Sequence, residues 1–201
     1  MCVGTGEWST ETFSVVHAFH CPLLTAHCSL PTAHCSLPTA HCLLLHFQTM
    51  NRISNDDNLL KLRAAFTKGG VRGAVTYLNS LTEHRFTSLY RFDGPTLRNI
   101  TFFDRENPTV ESCDDIPVEA SYCVFVRDLA TSFMVDDAMR DARVSNHPKK
   151  ATVQSYCGVP LLDRNGKMFG SICHFDFEPR SISDRDVELL EYMARLLQHQ
   201  F

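Results

Sequence analysis

No uninterrupted apolar stretch in this 201-residue chain approaches the roughly 20 residues that a bilayer-spanning helix needs, which excludes a helical transmembrane protein. Clustered basic residues are missing as well. The formal charge is −4 and the pI near 6.2, so the chain has no electrostatic footprint for nucleic acid or an anionic membrane surface. G-x-G-x-x-G, P-loop, H-E-x-x-H and G-x-S-x-G patterns are absent, which removes the usual sequence supports for nucleotide hydrolysis, zincin proteolysis and serine esterase chemistry. Residues 1–49 contain no Lys or Arg at all. Glu7 and Glu11 are their only charged groups, whereas all 19 basic residues lie from Arg52 onward.

That first stretch is rich in something else: it holds five of the nine cysteines and a tandem seven-residue repeat, HCPLLTA from His20, HCSLPTA from His27, HCSLPTA from His34 and HCLLLHF from His41. Pro22, Pro31 and Pro38 rule out a continuous helix, each removing a backbone hydrogen bond at about 3 kcal/mol. Seven residues are also too few for a solenoid unit with its own buried face. His20, His27, His34 and His41 precede Cys21, Cys28, Cys35 and Cys42, ligand types that suit zinc or copper, but the short chelating gaps of structural zinc sites are missing and no metal is assigned. A secretory signal lacks its positively charged start. The expectation is that residues 1–49 are either disordered or arise from a start codon placed too early, with Met50 as the real beginning and residues 50–201 as one domain.

In that domain Leu59, Leu60, Leu62, Ala64 and Ala65 predict a short helix stopped by Gly69-Gly70, and Val71, Ala74, Val75 and Leu78 a second, amphipathic one. Residues 85–92 and 96–103, aromatic and β-branched, flank Asp93-Gly94-Pro95 and predict a hairpin. A short helix follows around Val118 to Val126, then a strand over residues 132–136 and a polar, irregular or partly helical stretch from Asp137 to Lys150. A second hairpin joins residues 152–162 to 167–177 through Asp163-Arg164-Asn165-Gly166, with Pro160 expected at an edge or bulge. Its register is open: Cys157 faces either Cys173 or His174. Ser183 with Asp186 predicts the cap of a last helix ending near Gln198. That helix carries two apolar stripes: Val187, Leu190, Ala194, Leu197 and Phe201 form one, and Leu189, Met193 and Leu196 a spare one that invites a homodimer. His84, His147 and His199 read as surface residues.

Residues 155–197 show a G-x-P-L stretch (Gly158 to Leu161), a D-x-x-G turn (Asp163 to Gly166), a G-x-x-C strand (Gly170 to Cys173), an aspartate soon after it and an acidic closing helix. In this order they resemble the GAF family of small-molecule sensor domains. Val135 to Pro148 is similar to that family's D-A-x-x-D-x-R segment, and Ser121-Tyr122-Cys123 to its S-x-C lead into the middle helix. The resemblance covers about residues 58–199. It implies an α/β (α+β), PAS-like fold: a twisted antiparallel sheet of five or six strands, with terminal helices on one face and a pocket roofed by loops and a helix on the other. It implies a non-catalytic sensor of a small-molecule ligand, expected to be cytoplasmic. The signal passes through the terminal helices to a separate output protein or through a homodimer, and Phe125, Val135, Asp136, Tyr156 and Phe175 are the candidate ligand contacts. No cofactor is indicated.

One branch of the family is catalytic and reduces free methionine-(R)-sulfoxide with cysteines. Cys113 to Val118, with Cys123 ten residues after Cys113, resembles its C-x-x-I-P-V and following cysteine, so Cys113 and Cys123 are the catalytic candidates of an alternative, enzymatic reading. The third cysteine of that branch would fall near Lys149 and its acidic residue near Ser155, and neither is there. Asp115-Ile116-Pro117 resembles the D-I-P segment of phytochrome-like members, without a recognisable bilin environment around Arg143 to Lys150. The cyclic-nucleotide signature F-x3-D-E is replaced by Ile182, Asp186 and Val187.

Overall fold

The computed structural model describes residues 57–198 and residue 200. The expected extension over residues 1–49, its His-Cys repeat and the boundary at Met50 lie outside the described residues, as do His199 and Phe201.

Six strands pair antiparallel throughout: β1 (Phe86–Asp93), β2 (Thr96–Asp104), β3 (Ile116–Pro117), β4 (Phe133–Val135), β5 (Ser155–Leu162) and β6 (Met168–Asp176). Their order across the sheet is β3-β2-β1-β6-β5-β4. Both hairpins stand where turn chemistry placed them. In the second, the Asp163 carboxylate accepts from Asn165 N at 2.8 Å and Lys167 N at 2.9 Å, while Gly166 takes φ 77°, a conformation that favours glycine. Pro160 lies two residues beyond the last β4–β5 pair, Phe133 with Gly158, where that flank of β5 is an edge. The register places Cys157 opposite His174 and Gly158 opposite Cys173. Side chains alternate across a strand, so Cys157 and Cys173 lie on opposite faces of the sheet and cannot be bridged.

Helix α1 (Asp57–Leu81) is two helical segments joined at Gly70, whose φ 60° and ψ −153° break the helix where the Gly69-Gly70 pair was expected to stop it. It packs with α3 (Asp184–Leu197) on one sheet face. Leu59, Leu62, Val75 and Leu78 from α1 and Leu189, Leu190, Met193 and Leu197 from α3 close over Leu89, Val159, Leu161 and Ile172. Each such side chain contributes about 1.5–3 kcal/mol on burial. Leu189 and Met193, read from sequence as a spare dimerisation stripe, are 3% and 0% exposed. A helix wedged between a sheet and a neighbouring helix uses a wider apolar arc than one resting on a sheet alone, and α1 takes up the second stripe.

The start of α3 is a capping box: the Ser183 hydroxyl accepts from Asp186 N at 3.2 Å, and the Asp186 carboxylate accepts from Ser183 N at 2.9 Å. Replacing Ser183 by Ala is expected to cost about 1 kcal/mol, read as a lowered urea midpoint with unchanged slope. On the other sheet face, the single helix expected over residues 118–126 is instead a 3-10 turn at Val118–Ala120 followed by α2 (Cys123–Leu129). Ser121 between them is extended (φ −139°, ψ 148°), which ends the first and starts the second. Among the described residues no helix is long and apolar enough to cross a membrane.

Candidate functional site

The face opposite α1 and α3 was expected to hold a pocket beneath α2, but aromatic side chains fill it. Tyr90, Phe133, Val135, Tyr156 and Cys173 from the sheet meet Tyr122, Cys123, Val124 and Val126 in one buried cluster. Of the five expected ligand contacts, Val135 and Tyr156 are part of this core. Phe125 is half-buried and stacks on Phe133 with ring centroids 4.5 Å apart. Phe175 is half-buried and stacks on Phe86 at 4.8 Å. The physical reason is volume: alternate outward positions on β1, β4, β5 and β6 carry rings, and α2 brings Tyr122 and Phe125 down onto them.

Open space lies at the rim instead. A cleft of about 590 Å3 is lined by Met134, Asp136, Asp137, Arg140, Asp141, Ala142, Arg143 and Ile182, so Asp136 is the one expected contact that faces it. Short polar turns build its walls. The Asp137 carboxylate accepts from Met139 N at 3.0 Å, and that of Asp141 accepts from Arg143 N at 2.9 Å, starting a 3-10 turn at Ala142–Val144. The Arg143 guanidinium donates to Asp141 and to Met134 O, both at 2.6 Å, and lies over the Phe133 ring at 4.8 Å. Beside that guanidinium, the Asp141 carboxyl is held below its usual range. Ile182 comes from the loop ahead of α3, and this loop is tied to the cleft where Arg180 N donates to Asp136 O at 3.1 Å. Carboxylates and guanidiniums line the cleft, with no thiol, hydroxyl or imidazole side chain among the lining residues. This chemistry suits reversible recognition of a polar molecule bearing both charges.

The cysteines lie elsewhere. Cys113, half-buried in the β2–β3 loop, has its sulfur 3.3 Å from the Tyr90 hydroxyl. Cys123, the first residue of α2, accepts from the Tyr156 hydroxyl at 3.3 Å. Burial opposes a thiolate at Cys123, but the polar groups around its sulfur, the Cys173 thiol and the Tyr156 hydroxyl among them, outweigh it and bring this thiol down. Cys173 is raised, first through the neighbouring Cys123 and then through burial. Burial pushes the Cys157 thiol up to about 12. Among the described residues no two cysteines are joined, and no group of three or more His, Cys, Asp and Glu could hold a metal ion.

His84 and His147, read from sequence as surface residues, are not. His84 is 0% exposed and stacks on the equally buried His174 at 5.9 Å. Their Nδ1 atoms bond Thr82 and Thr87 hydroxyls at 2.8 and 2.7 Å, while both Nε2 atoms are buried without a partner. His147 is half-buried against Tyr122, ring centroids 4.5 Å apart. His174 was legible, since it alternates in phase with Ile172 on a core-facing strand; His84 lies in a loop and carries no such signal.

A family model for the GAF domain matches residues 70–200. A cyclic di-GMP phosphodiesterase of Pseudomonas aeruginosa is 35% identical over 85 residues, a match that covers 40% of this chain and 14% of that protein. Among solved structures, a phycocyanobilin-bound GAF domain from a cyanobacterial phytochrome is similar at TM-score 0.57 and 14% identity, covering 73% of this chain and 94% of that one. A free methionine-R-sulfoxide reductase from Neisseria meningitidis, in complex with its substrate, is similar at TM-score 0.53 and 16% identity, covering 85% of this chain and 95% of that one. At these identities the solved structures speak for the fold alone. That fold, together with a family match over most of the described residues, makes this chain a member of the GAF domain family.

Proposed function

We propose that this GAF domain is a non-catalytic small-molecule sensor whose ligand enters the cleft beside β4 and whose terminal helices carry the response. The observation that carries this reading is the position of Ile182: it lines the cleft and immediately precedes Ser183, the N-cap of α3. An occupant held by Asp136 and Arg143 therefore touches the segment that orients the first turn of α3, and α3 packs on α1. A ligand that favours one arrangement by about 1–3 kcal/mol shifts the population of both helices. The signal then leaves through a separate output protein or a second copy of the chain. Of the five sequence-derived contacts, Asp136 keeps a direct role, and Phe125 and Tyr156 back the cleft through Phe133, at ring distances of 4.5 and 6.5 Å.

Native mass spectrometry of the isolated chain tests the proposal. The expected result is a small-molecule adduct that is lost in Asp136→Lys and whose removal changes amide exchange in the first turn of α3. A chain flying at its sequence mass, with α3 exchange unmoved by any compound of a metabolite library, overturns it.

The thiol arrangement favours a second reading, a free methionine-(R)-sulfoxide reductase using Cys113 and Cys123. It is supported by the Tyr156 hydroxyl that donates to the Cys123 sulfur and by the half-buried Cys113. Sulfoxide-dependent NADPH oxidation in the presence of thioredoxin and its reductase, abolished by Cys113→Ser or Cys123→Ser, would establish this reading in place of the sensor.

A further inference from the structure

The structure assigns a proton-operated latch to the stacked pair His84 and His174: a proton taken up there frees the end of α1 and the start of α3 from the sheet. Two imidazoles are shut between these layers. Both are 0% exposed, with ring centroids 5.9 Å apart and planes 21° from parallel. Each has one nitrogen satisfied by a neutral group, His84 Nδ1 by the Thr82 hydroxyl at 2.8 Å and His174 Nδ1 by the Thr87 hydroxyl at 2.7 Å. Neither Nε2 has a partner. An imidazolium carries an N–H on both nitrogens, so a protonated ring here would leave one charged donor buried and unbonded. The closed arrangement therefore holds two neutral rings.

The carboxylates nearby are already engaged. The charged and titratable groups around the pair are Asp186 from α3, Asp176 from β6, Arg180 from the loop after it, Arg105 from the segment after β2 and Cys157 from β5, while α1 and β1 contribute the neutral Asn79 and Thr87. The Asp186 carboxylate accepts from the Ser183 amide at 2.9 Å and from its hydroxyl at 2.6 Å. That of Asp176 accepts from the Arg85 and Glu178 amides and from Arg180. His174 is fixed, because β6 is paired on both sides, with β1 and with β5. His84 is not: it lies between the end of α1 and the start of β1, in a loop held by the Asn79 amide, which donates to His84 O at 3.1 Å and to the Thr87 hydroxyl at 2.9 Å. Water reaches both rings when that loop and the two helix ends lift off β6. Above about pH 6.5 neither the open nor the closed form is protonated there and the latch stays shut; below it only the open form takes up protons, and the population moves toward it. This response needs no occupant in the cleft.

Hydrogen–deuterium exchange of the full chain at pH 7 and pH 5, corrected for the intrinsic change of exchange rate with pH and repeated in urea below the unfolding midpoint, tests the latch. Amides at the end of α1 and in the first turn of α3 should open about 30-fold more readily at pH 5 for each imidazole exposed, and nearly independently of urea, as a local opening does. His84→Asn combined with His174→Asn keeps polar partners for both threonines and should remove the acceleration. Absence of any acceleration overturns the proposal. So does an acceleration that climbs with urea as steeply as exchange in β6, because the whole domain is then unfolding. Both of these outcomes are read in the unsubstituted chain, whether or not the double variant folds. A double variant that is folded at pH 7 by circular dichroism, yet accelerates as much as the unsubstituted chain, overturns it too.

Discussion

Gly170→Val is expected to remove about 3 kcal/mol or more of folding stability, a large share of the roughly 5–15 kcal/mol that holds a domain of this size. Gly170 lies on β6 opposite Arg91 of β1 and Leu161 of β5, in the middle of the sheet. A Cβ there would sit 2.1 Å from Tyr90 O, 3.1 Å from Tyr90 C and 3.3 Å from Arg91 Cα, all backbone atoms of a central strand. Nothing can swing aside: relief requires β1 and β6 to separate, and that breaks ladder hydrogen bonds. Gly158 is the useful contrast. Its added Cβ would meet the end of the Tyr156 side chain, which can rotate away, so Gly158→Ala loses the Tyr156–Cys123 bond but not the sheet. Equilibrium unfolding in guanidinium chloride decides the matter, and a Gly170→Val midpoint close to that of the unsubstituted chain would sink the argument.

Acid should weaken the fold well above the range in which carboxylates titrate. Burial, reinforced by His84, pushes the His174 imidazole down to about 3. His84 is lowered too, again chiefly by burial. The groups facing the pair are Asn79 and Thr82 from the end of α1 and the loop after it, Thr87 from β1, Arg105 after β2, Cys157 from β5, Asp176 on β6, Arg180 after it and Asp186 from α3. The Asp186 carboxylate favours protonation, but the desolvation of two stacked rings outweighs it. Above pH 6.5 neither the folded nor the unfolded chain protonates His174. As pH falls below 6.5 the unfolded chain takes up a proton that the folded one refuses, so stability drops until pH nears 3. By pH 5 this one residue costs about 2 kcal/mol. Asp104 acts in a separate window. Burial works against its carboxylate, but Arg85, Asn107 and the Glu106 amide hold it down to about 2, so its contribution is intact above pH 3.8 and fades only as pH falls toward 2. His174→Asn keeps a polar atom for Thr87 and cannot titrate. Urea midpoints at pH 7 and pH 5 should diverge in the unsubstituted chain and diverge less in this variant, where His84 alone of the pair remains; an undiminished fall in the variant would show that other groups carry the acid sensitivity.

Part of this molecule was legible in one dimension because the interactions responsible join residues a few positions apart. The Asp163 carboxylate and Gly166 make the second turn, Ser183 and Asp186 cap α3, Gly70 breaks α1, and aromatic alternation over residues 86–104 makes the first hairpin. The motif between Gly158 and Cys173 carried the family as well. What stayed open depended on partners far apart in the chain. A one-residue difference in register separates Cys157 facing His174 from Cys157 facing Cys173, and the local pattern is the same in both cases. Whether rings filled the space beneath α2 or lined it depended on how closely Tyr122 and Phe125 descend on Phe133 and Tyr156, which moved the open cleft out to Asp136 and Arg143. The sequence by itself therefore determined the two hairpins, the break in α1, the cap of α3 and the family. Only the tertiary structure decided which residue Cys157 faces, that His84 and His174 share the core, and where solvent enters, because packing between layers is set by residues as distant as Thr87 and His174, whose side chains touch across 87 positions.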